Sequence, residues 1–133
     1  MTPQPKFWIG QKVRLKEKSI LPPEVWRNLY EDYSCRGKHN VTYTIDEVHT
    51  NNSGDYIYHL RGVNYHQEPI LEAVYPLEQP FPRIPMNVPI LLPRYGLTKV
   101  IYIILADEPM CRLSGGKGKV PFFKIIEQIT PIL

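Results

Sequence analysis

Hydrophobic and polar positions alternate most cleanly between Val41 and Leu60, VTYTIDEVHTNNSGDYIYHL. Val41, Tyr43 and Ile45 share one face of an extended chain, and Tyr56, Tyr58 and Leu60 do the same on the far side of Asn51-Asn52-Ser53-Gly54. Period-two alternation flanking a turn-forming cluster predicts a β-hairpin. Val48 falls out of phase, and one extra residue near Asp46 and Glu47, a β-bulge, returns it to the inner face. In that register Ile45 opposes Leu60, Val48 opposes Tyr58, and the loop shrinks to Asn52-Ser53-Gly54 with Gly54 left-handed. His59 then lies outward beside the bulge acids Asp46 and Glu47.

Other elements follow by the same reading. Val13 and Leu15 alternate with Lys12, Arg14 and Lys16 after the Phe7-Trp8-Ile9-Gly10 turn, which predicts a half-buried strand. Met1 to Lys6 reads as a frayed end. From Ser19 to Tyr33 the period changes: Pro22-Pro23-Glu24 opens like a helix, and Trp26, Leu29, Tyr30 and Tyr33 form an apolar stripe. A short helix in a long loop is expected, with Trp26, Tyr30 and Tyr33 either lidding the sheet or forming a protein-binding surface. The second hairpin strand is expected to run on to Val63, Asn64 to Pro69 to turn, and Ile70 to Tyr75 to form a further strand. Pro76, Pro80, Pro82, Pro85, Pro89 and Pro93 then impose an extended arm. Its Phe81, Ile84, Met86, Val88, Ile90, Leu91 and Leu92 call for cover, so the arm is expected to wrap the rest. Leu97 to Ala106 reads as one strand, with Val100 to Leu105 buried on both faces. Met110–Ser114 and Val120–Ile126 flank a glycine-rich turn, and Phe122–Ile129 fits strand or helix.

The stretch from Phe7 to Glu78 resembles a small SH3-like barrel. The residues that carry the resemblance are Ile9-Gly10-Gln11-Lys12-Val13-Arg14-Leu15, Tyr43-Thr44-Ile45, the hairpin turn, Tyr56-Ile57-Tyr58-His59-Leu60 and Leu71-Glu72-Ala73-Val74-Tyr75-Pro76-Leu77-Glu78. It implies a mainly β fold: an SH3-like small barrel over 7–78, a short helical loop insertion, and a proline-rich, β-containing C-terminal extension over 79–133. Because fold alone does not specify activity, no binding residue is carried over from it.

Composition narrows the function classes. Fourteen prolines in 133 residues exclude a helical bundle. The longest apolar run, Val100 to Ala106, falls far short of the roughly 18 residues of a membrane helix. No secretion signal is read at the start, and two distant cysteines, Cys35 and Cys111, fit reduced thiols, so a cytoplasmic protein is expected. The net charge of +3 is uneven: residues 1–78 balance at −1 and residues 79–133 at +4. That permits a nucleic-acid contact through Lys12, Arg14 and Lys16 and the basic turn at Lys117 and Lys119.

Catalytic signatures are absent from the sequence. Gly115-Gly116-Lys117-Gly118-Lys119 lacks the phosphate-loop spacing. His39, His49, His59 and His66 show no metal-ligand spacing, although His59, His66 and an acid are a conceivable spatial set. Cys35 with His39 lacks an orienting third group. No GxSxG, GxGxxG or EF-hand loop occurs. Pro82-Arg83-Ile84-Pro85 is formally a PxxP ligand, as any wrapping proline-rich segment can be. The expectation is a non-enzymatic protein-interaction module without cofactor, binding a protein partner or itself. A nucleic-acid-binding accessory factor is the alternative.

Overall fold

The computed structural model describes residues 3–16, 41–78, 80–116 and 118–129. The expected helix with Trp26, Tyr30 and Tyr33, the Cys35–His39 pair and Lys117 lie outside the described residues. The fold is mainly β, an eight-stranded antiparallel sheet with a separate two-stranded hairpin and one short C-terminal helix.

The central strand is β2 (Tyr43–Thr50), paired along one edge with β3 (Tyr56–Leu60). Their ladder sets Ile45 opposite Leu60 and Val48 opposite Tyr58, with a register shift between Ile45 and Glu47, as the alternation predicts. Gly54 closes the turn at φ 84°. The other edge of β2 has two successive neighbours. Its first residues pair with β1 (Lys12–Leu15), and Glu47 to His49 pair with β8 (Val100–Ile104). The bulge marks the handover. Ile45 exchanges bonds with Gly10 and Gln11, whereas the Asp46 carbonyl accepts from the Leu105 amide at 2.6 Å.

β3 continues into β4 (Tyr65–Gln67), and a 3-10 turn (Glu68–Ile70) leads to β5 (Leu71–Ala73), which returns beside β1. Here the sequence reading is corrected: β3 stops at Leu60, and Tyr65–Gln67 is a strand rather than a turn. The stretch Asn64 to Pro69 carries turn-forming residues at its ends, which hide a three-residue strand between them. Among the described residues no ladder joins β4 to β5, so the strands form an open sheet and barrel closure is not part of the observed pairing.

Between β5 and β6 (Ile90–Leu92) the described residues form no strand, and β6 makes a hairpin with β7 (Gly96–Thr98). Leu97 to Ala106 is therefore two elements, with Thr98 ending one and Val100 opening the next. In β8 Val100 and Ile103 are buried, while Ile101, Tyr102 and Ile104 are half-buried, so the strand has one core face and not two. β9 (Met110–Leu113) and β10 (Lys119–Pro121) complete the sheet, and α1 (Phe122–Ile129) resolves the ambiguous last segment as helix. Its Phe122 and Ile125 are buried, one helical turn apart.

One apolar cluster serves both halves of the sequence. Trp8, Val13, Leu15, Ile45, Val48, Tyr58, Leu60 and Leu71 pack with Ile84, Met86, Leu92, Val100, Ile103, Leu113, Phe122 and Ile125. Pro3 to Lys6, expected to fray, are tied down. The Gln4 side-chain amide both donates to the Met86 carbonyl (3.1 Å) and accepts from the Met86 amide (2.8 Å), and the Tyr56 hydroxyl donates to the Pro3 carbonyl. Trp8 Nε1 donates to the Pro82 carbonyl, and Arg83 lies over the Trp8 ring while donating to the Pro5 and Lys6 carbonyls. The PxxP stretch is thus engaged within the chain.

Candidate functional site

A regular strand sends consecutive side chains to opposite faces; a bulge does not. At the Ile45–Glu47 irregularity Asp46 and Glu47 come together beside the outward side chains of β3. His59, directly opposite Glu47, places Nδ1 2.5 Å from Asp46 Oδ1 and 3.7 Å from Glu47 Oε2. His49 follows two residues after Glu47 on the same face, and its Nε2 stands 2.6 Å from Glu47 Oε1. Tyr65 of β4 donates its hydroxyl to that same Oε1 at 3.1 Å. Rings frame the group: His49 stacks on Tyr102 of β8 at 4.7 Å, and Tyr65 meets both imidazoles edge-on. Arg112 of β9 lies over the Tyr102 ring.

The side chains are only 17% exposed at Asp46, 19% at Glu47, 24% at His59 and 25% at His49. Burial first, then the hydrogen bond to Glu47 and the nearby carboxylate charge, push the Tyr65 phenol above its usual pKa. Three donor atoms, one each from Asp46, Glu47 and His59, all lie within 4.8 Å of one another. The arrangement suits proton-sharing or cation-binding chemistry; its three donor atoms come from the adjacent strands β2 and β3, and Tyr65 joins them from β4.

His66, considered with His59 from the sequence, belongs elsewhere. It points inward opposite Tyr58, is 3% exposed, and its Nδ1 faces the Asn64 carbonyl. Burial lowers its pKa. Cys111 is a buried free thiol whose pKa burial pushes up to about 12, which makes it a poor nucleophile.

Of the basic residues singled out from the sequence, those of β1 and Lys119 lie on separate strands. Lys12 and Arg14 are exposed on β1, Lys16 follows half-buried, and Arg14 is ion-paired with Glu72 at 2.7 Å. Lys119 is exposed on β10, separated from β1 in the sheet order by β9, β8 and β2.

One surface feature escaped the sequence reading. Leu91 and Leu97 pair across the β6–β7 hairpin and stand 66% and 69% exposed. Leu91 had been expected to need cover. The signal was available: Pro93-Arg94-Tyr95-Gly96 separates two leucine-bearing runs, the pattern of a tight hairpin, whose inner and outer faces must differ. No family model, curated protein or solved structure matches the chain.

Proposed function

We propose that this chain is a non-enzymatic protein-interaction module, an SH3-like small barrel elaborated by its C-terminal extension. The order β5-β1-β2-β3-β4, antiparallel throughout, with the last strand returning beside the first, supports the barrel reading. The observation that carries the interaction reading is the Leu91–Leu97 pair. Two leucines left bare on a ribbon whose opposite face, at Leu92 and Thr98, is buried form an apolar contact point. Exposed Arg94 in the hairpin turn and exposed Lys99 just after it give that point a basic rim. Its complement is a partner-protein segment pairing apolar side chains with acidic ones.

The nucleic-acid alternative draws less support, because Arg14 is neutralised by Glu72 and Lys119 lies on a distant strand. Affinity capture from native lysate, with and without nuclease, tests both readings. The wild-type chain is expected to retain a nuclease-resistant protein that Leu91→Asp/Leu97→Asp releases, while the variant keeps the wild-type circular dichroism and melting midpoint. Equal capture by both chains would refute the hairpin as the contact point; nuclease-sensitive capture would favour nucleic acid. Light scattering over a concentration series separates a foreign partner from a second copy.

A further inference from the structure

We propose that Asp46, Glu47 and His59 form a binding site for a divalent transition-metal ion of the zinc class. The donor set has the right chemistry: two carboxylates and one imidazole are first-row metal ligands, and imidazole favours zinc over calcium or magnesium, which take oxygen. The donors also converge. Asp46 Oδ, Glu47 Oε and His59 Nδ1 lie within 4.8 Å of one another, with Glu47 held opposite His59 in the ladder and Asp46 at the bulge beside it. Ligation of one zinc at about 2.0–2.1 Å in tetrahedral geometry sets donor atoms roughly 3.3 Å apart. The present separations of 2.5 Å (His59–Asp46) and 3.7 Å (His59–Glu47) bracket that value. An imidazole ligating through Nδ1 carries its proton on Nε2.

Charge points the same way. Among the described residues no lysine or arginine lies within 4.0 Å of Asp46 or Glu47; their ion-pair partners are the two histidines alone. Asp46 and Glu47 side chains left only 17% and 19% exposed lose much of their hydration, and a dication placed between them offsets that cost. The surrounding groups hold Glu47 in a ligating pose. Tyr65 and His49 both occupy Oε1, which leaves Oε2 as the oxygen turned toward His59 and Asp46. Tyr65 and His49 are thus positioning residues of the kind that orient metal-bound carboxylates. Three protein ligands leave a fourth position for water or a donor from another molecule. This inference stands independently of the leucine contact on the β6–β7 hairpin.

The test uses the untagged full chain in a Cys35→Ser background, which removes a competing thiol. Calorimetry with Zn2+ and visible absorption with Co2+ are expected to give one ion per chain, with Co2+ bands typical of four-coordinate N/O ligation. Asp46→Asn and His59→Gln are expected to abolish binding. Tyr65→Phe, which removes one hydroxyl from the outer face, is expected to weaken it about tenfold, with melting unchanged in chelator. Should either ligand variant fail to fold, the graded loss in Tyr65→Phe decides the question. No heat and no Co2+ band with metal in excess, stoichiometric binding retained in the ligand variants, or unchanged affinity in Tyr65→Phe would each overturn the proposal and leave a simple histidine–carboxylate network.

Discussion

At Gly54 the backbone, and not the space around it, decides which residue can stand there. Its φ is 84°, yet a Cβ built on it meets no atom within 4 Å. Gly54→Val is therefore expected to lose more than about 1 kcal/mol through conformation alone, read as a lower denaturation midpoint. Gly10 combines both penalties: φ is 80°, and a Cβ would lie 2.6 Å from Pro80 Cγ, with Phe81 close behind. Cys111 gives a second expectation at this scale. Burial raises its pKa from 9.0 to about 12, so between those values the folded thiol keeps a proton that the unfolded chain releases. Its contribution to stability is complete below about pH 9 and is lost as pH rises toward 12. In Cys35→Ser protein, a thiol reagent at neutral pH is expected to label Cys111 only after denaturant is added. Rapid labelling of the native chain would contradict the burial.

Among the elements, β8 bears the most on the fold, because it binds the late half of the chain to β2. Ile103 faces Val48 across that ladder and is fully buried. Ile103→Ala is expected to cost about 2–5 kcal/mol, measured by chemical denaturation, whereas Ile101→Ala, half-buried, should cost clearly less. The contrast between β2–β3 and β8 also explains what could be read from the sequence. A hairpin is local: alternation, one phase slip at Asp46–Glu47 and a glycine turn determine its register, and with it the approach of His59 to the two acids. The rest of the site depends on contacts the sequence does not encode locally. His49 gains Tyr102 only because β8 adds beside the second half of β2, about fifty residues away in the chain. Tyr65 reaches Glu47 from a three-residue strand too short to show a period. The hairpin of Leu91 and Leu97 was obscured differently, by Pro89 before it and Pro93 inside its turn, which make it read as more of the proline-rich arm.

On the scale of the whole molecule, the first 78 residues and those that follow share one interior. Met86, Val100, Ile103 and Phe122 pack in the same cluster as Trp8, Val13, Val48 and Leu60, all of them fully buried. The polar links run the same way: Gln4 clasps Met86, Trp8 donates to Pro82, and Arg83 returns to Pro5 and Lys6. A chain ending at Glu78 would expose the inner face of β1 and β2 and the edge of β2 that β8 covers. Bare apolar surface beside an unpaired strand edge favours association over folding. Fragment 1–78 is therefore expected to aggregate, or to lose the cooperative thermal transition of the full chain, in circular dichroism and light scattering. Adding back residues 79–133 as a separate chain should restore the transition, because what is missing is surface complementarity and not covalent continuity. A monomeric fragment 1–78 with a sharp transition of its own would show that the shared cluster is not required for the N-terminal strands to fold.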